Sequence, residues 1–131
     1  MWNQRRKSAC KNWLALFALL SCFFVCAQAW AMSEEEKIVA LIESVRSTPE
    51  GTQFVRNGTA YDVADAVSHL SMKYSKAKSR VKTAEDFIRY VASGSSISGQ
   101  PYLIRYPDGT AVTAAAFFTE RLRKLSEEKG P

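Results

Sequence analysis

Past residue 31 the chain has no cysteine: Cys10, Cys22 and Cys26 all lie near its start. That excludes thiol chemistry and a disulfide framework from the remaining hundred or so residues, which must hold together by core packing alone. A domain of that size buries roughly 60 to 70% of its unfolded surface, so a core suffices. Histidine occurs once, at His69. One imidazole with scattered acids supplies no metal-ligand cluster at usable spacing. No phosphate-binding loop and no dinucleotide fingerprint is present, so no cofactor is expected. No internal repeat or low-complexity block appears, and no G-x-S-x-G elbow surrounds a serine.

Excess positive charge is also missing where it would matter. The whole chain carries +5, with 18 Lys and Arg against 13 Asp and Glu. Arg5, Arg6, Lys7 and Lys11 precede residue 12 and no acid does, so 14 bases face 13 acids in the rest, a balance of +1. A nucleic-acid surface needs a basic stripe on the folded part, and that requirement is not met.

What is present begins with a leader. Four bases, an apolar run from Trp13 to about Val25, and small residues at Ala27, Ala29 and Ala31 follow the order of a secretory signal peptide. Residues 1–31 are therefore expected to be the signal, cleaved after Ala31 or Ala29, with 32–131 as one globular domain, periplasmic or secreted. An uncleaved leader would be the chain's only membrane attachment, since Trp13 to Ala31 approaches the roughly 20 residues that span a bilayer. The twin-arginine and lipoprotein readings, which Arg5-Arg6 and Cys22 raise, lack their flanking residues.

The domain is organised around the stretch from Thr59 to Val81. Val63, Ala66, Val67, Leu70, Tyr74, Ala77 and Val81 recur at three, four and seven, the spacing of one buried helical face. Beside it runs a stripe of Asp62, Asp65, His69, Lys73, Lys76 and Arg80. Acid first and base last matches the helix dipole, so a solvated flank explains it; the functional reading is an anion-facing edge of Lys73, Lys76 and Arg80 bordered by His69. A first helix is expected from Ser33-Glu34-Glu35-Glu36, a capping box, and ends at Thr48-Pro49. Gln53 to Arg56 reads as a strand, and Asn57-Gly58 as a tight turn. Thr83 caps a third helix that stops at Ser93-Gly94, where glycine could close it in a left-handed conformation. Tyr102 to Tyr106 alternates like a second strand, and Thr113 caps a last helix. The expected fold is α+β, mainly α, with about four helices and two short strands.

Phe54-Val55-Arg56-Asn57-Gly58, Ala66-Val67-Ser68-His69-Leu70 with Lys73, Thr83-Ala84-Glu85-Asp86-Phe87-Ile88, and Ser98-Gly99-Gln100-Pro101-Tyr102 together carry a resemblance. In order and spacing they are similar to the YfeK-like family of small exported bacterial proteins. The resemblance implies an exported bacterial domain and brings no activity, substrate or catalytic residue with it.

Two functions remain. A small serine hydrolase would use a serine of the Ser95–Ser98 loop, His69 as base and Asp65 as orienter. A binding or interaction module would use a polar groove, formed if the strands at Phe54 and Leu103 pair and bring both turns to the central helix. That groove would be bordered by Arg56, Asn57, His69, Lys73, Ser96 and Ser98. Fixed cations with hydroxyl donors favour an anionic or polyhydroxylated ligand, or another envelope protein, over an apolar one. The binding module is the better supported, and no catalytic residue is assigned.

Overall fold

The computed structural model describes residues 31–128; all of the leader expected from the sequence except its last residue, Ala31, lies outside them. Helix α1 (Glu34–Ser44) starts at the expected capping box, with the Ser33 hydroxyl accepting from the Glu36 amide and the Glu36 carboxylate accepting from the Ser33 amide. It tightens into a 3-10 turn over Val45–Ser47 before Pro49. Strands β1 (Gln53–Arg56) and β2 (Thr59–Tyr61) follow, then α2 (Val63–Ala77). Helix α3 (Ala84–Phe87) widens into a π turn over Ile88–Ala92. The chain closes with β3 (Leu103–Arg105), β4 (Ala111–Thr113) and α4 (Ala114–Glu127).

The expectation of two strands is corrected: among the described residues there are four, in one antiparallel sheet of order β2-β1-β3-β4. Strands β1 and β3 do pair, with Phe54 opposite Ile104 and Val55 opposite Leu103. Each then acquires a hairpin partner. Asn57 (φ 50°) and Gly58 (φ 79°) both take positive angles, the requirement of the tight turn whose twist matches a hairpin, and they return the chain as β2. This also shortens the central helix. Thr59 to Tyr61 is strand, and Asp62 caps α2 by accepting from the Asp65 amide.

Phe54 and Ile104, paired across the sheet centre, join Leu41, Leu70, Phe87, Val91 and Phe118 in one apolar cluster. Leu70 is 0% exposed, as the helical face requires. Edge-to-face rings run from Tyr74 through Phe87 to Phe118 and Phe117, a favourable geometry for aromatic pairs. Among the described residues no helix is long and apolar enough to cross a membrane.

Gly94 differs from expectation. It does not take a positive φ; it bridges to Pro101, and a Cβ there would stand 2.7 Å from the Gln100 carbonyl oxygen. Close approach of two backbones requires the glycine, rather than helix closure. The Ser95 amide donates to Gln100 and the Tyr102 amide to Ser93, so the serine loop is a small ladder that delivers Tyr102 into the interior.

Candidate functional site

A cleft of about 300 Å³ lies between the β1–β2 hairpin and the first half of α2. Residues two apart on a strand share a face, so β1 sends Phe54 and Arg56 to it, and Tyr61, opposite Phe54 in β2, joins them. Helix α2 contributes Asp65, Ala66, Ser68, His69 and Met72, one row at helical spacing.

Arg56 and His69 form its polar wall. The guanidinium Nη1 lies 2.7 Å from Nδ1 and 2.9 Å from Nε2 of His69, so it faces the ring edge between the two nitrogens. Its Nη2 donates to the Tyr61 hydroxyl at 3.2 Å, and the guanidinium carbon stands 4.9 Å from the Tyr61 ring centre. Only a neutral imidazole offers a lone pair to this donor. Burial, then the charge of Arg56, then that of Lys73, all lower the His69 pKa below 6.5 and keep the ring neutral. Arg46 and Arg123, by contrast, are paired with glutamates. Arg56 has no carboxylate partner among the described residues.

Lys73 is nearby but turned inward, which corrects the anion-facing edge. Its ammonium donates to the Val91 carbonyl at 2.8 Å, the Gly94 carbonyl at 2.6 Å and the Tyr102 hydroxyl at 3.3 Å. Two of its protons go to carbonyls left over where the third helix ends and the third to the Tyr102 hydroxyl. Burial and then Arg56 lower its pKa. Tyr102, 2% exposed, extends the network to within 3.5 Å of His69 Nε2, and burial raises its pKa. Sequence reasoning read Tyr102 as the first residue of a strand and missed this polar role. Its position directly after the Gly99-Gln100-Pro101 break was the available signal.

The remaining candidates do not line the cleft. Ser98 donates to the Asn57 side-chain oxygen at 2.7 Å, tying the serine loop to the hairpin turn. Ser96 is exposed and reaches no other candidate among the described residues. The Ser95 hydroxyl accepts from the Ile97 and Ser98 amides, a local turn. No serine meets His69, and Asp65 makes no hydrogen bond to it, so the described residues assemble no nucleophile–base–orienter chain. They also hold no group of three His, Cys, Asp or Glu residues able to bind a metal.

Fold and cleft define a small α+β domain with a half-open polar recess backed by a carboxylate-free arginine. A profile of the family of unknown function DUF5329 matches residues 32–126, and the chain belongs to that family. Over 77 residues, 56% of this chain, it is 46% identical to the uncharacterized protein YfeK of Salmonella typhimurium. The match covers 63% of that relative's length. No solved structure is matched.

Proposed function

We propose that this chain is an exported binding module whose cleft takes a small ligand through an anionic group or hydroxyls. The observation that carries this reading is Arg56: a guanidinium lining a cleft, held by a neutral ring and a phenol instead of a carboxylate, with donors available to an incoming oxygen. Phe54, Ala66 and Met72 supply apolar wall, the usual composition of a ligand site. Export rests on the charge order and small residues of the leader. Another envelope protein presenting a carboxylate would meet the same groups.

The test is a thermal-shift panel of carboxylates, phosphates and sugars on the protein and on Arg56→Gln. A ligand at a hundred times its Kd stabilises the folded state by about 2.7 kcal/mol, well within detection. Stabilisation by at least one anionic or hydroxylated compound, lost in Arg56→Gln, is expected. A shift that survives the substitution refutes the cleft.

A further inference from the structure

The cleft has a second charged wall that the anion reading leaves unused. Its two charged residues are Arg56 and Asp65, of opposite sign, yet they form no ion pair with each other. The Asp65 carboxylate takes no hydrogen bond or ion pair among the described residues; only its backbone amide is engaged, by the Asp62 cap. Arg56 is held away from it by His69 and Tyr61. Two opposite charges face one small recess and stay separate.

We propose that the cleft takes a small zwitterion of the amino-acid class, its carboxylate at Arg56 and its ammonium at Asp65. This deepens the binding reading of the same cleft and rests on it. The spacing is set by α2: His69, which carries Arg56, stands one turn beyond Asp65, about 6 Å along the helix axis. A ligand bearing both charges bridges that interval, whereas a simple anion leaves Asp65 facing it with like charge. The apolar side chain of such a ligand lies against Phe54, Ala66 and Met72, and the flexible thioether of Met72, 49% exposed, adapts to its shape. A volume of about 300 Å³ is at the small end for ligand sites, which fits one residue and not a polymer.

Three compounds on one skeleton test this by calorimetric titration of the purified protein: L-leucine, 4-methylpentanoate without the ammonium, and 3-methylbutylamine without the carboxylate. Leucine should bind roughly tenfold or more tighter than either truncated probe, since each charge-assisted contact is worth at least that factor. Asp65→Asn should weaken leucine roughly tenfold while 4-methylpentanoate, relieved of the like charge facing it, binds as well or better. Asp65 is exposed and its side chain is unbonded, so this variant keeps the fold, which its unfolding midpoint checks. If 4-methylpentanoate equals leucine, or Asp65→Asn leaves leucine unaffected, or leucine does not bind, the zwitterion is overturned. The arginine site survives those results wherever Arg56→Gln still removes binding of an anion.

Discussion

Replacing Lys73 by methionine keeps the length and flexibility of the side chain while deleting its three donors. The Val91 and Gly94 carbonyls, accepting from the ammonium at 2.8 and 2.6 Å, are left without it, and Val91 is itself fully buried. Each orphaned acceptor costs about 1 to 3 kcal/mol. Part is returned because a half-buried ammonium no longer has to be kept from water. The net loss is about 2 to 4 kcal/mol, against a total stability of about 5 to 15 for a domain. Lys76→Met, on the exposed flank of the same helix, should stay within about 0.5 kcal/mol. Urea titrations of both variants followed by far-ultraviolet circular dichroism read the difference directly. Equal midpoints would refute the account of Lys73 as the donor that completes the end of α3, and would return it to the solvated stripe.

Leu70→Ala, at a fully buried position, should cost about 2 to 5 kcal/mol, and Ser71→Ala on the outer face less than about 0.5, both by denaturant titration. Gly94→Ala drives a methyl toward the Gln100 carbonyl and should cost about 1 to 3 kcal/mol, with faster amide exchange at Ser95 and Tyr102; unchanged exchange would dissolve the ladder. His69 binds its proton less readily folded than unfolded, so the unfolded chain takes up the proton first as pH falls below about 6.5. Stability should be full above that value and decline as pH drops toward the depressed folded pKa, a slope that His69→Gln removes from melting curves recorded across pH 4 to 8.

Local chemistry was legible in the sequence. The caps at Ser33, Thr83 and Thr113 act within three residues and need no partner elsewhere, and all three accept as expected. The Asn57-Gly58 turn is as local, and alternation marked the Phe54 and Leu103 segments as strands, while their pairing stood only as a condition that the sheet then met. The strands that escaped notice are three residues each. Thr59 to Tyr61 abuts Asp62 and merges into the helical pattern, and Ala111 to Thr113 exists only because β3 lies beside it. In the candidate site, Arg56 and His69 were brought together, but the direction of Lys73 was not readable. Nothing near Lys73 in sequence states that carbonyls 18 and 21 residues onward will receive it. Ser96 stayed outside because its loop turns on the hydroxyl of Ser95.

Strand β1, one of the two inner strands of the sheet, acquires its two neighbours at very different moments. Residue 61 completes the β1–β2 hairpin, but Phe54 meets Ile104 only 50 residues after its own synthesis, 104 less 54. At about 5 to 20 residues per second that gap lasts about 3 to 10 seconds on the ribosome. Throughout it one edge of β1 presents unpaired amides and carbonyls beside the apolar rings and methyls of Phe54 and Val55, the profile of an aggregation-prone strand. A chain halted before Leu103 therefore has an unpaired apolar border along β1, which only the second hairpin covers.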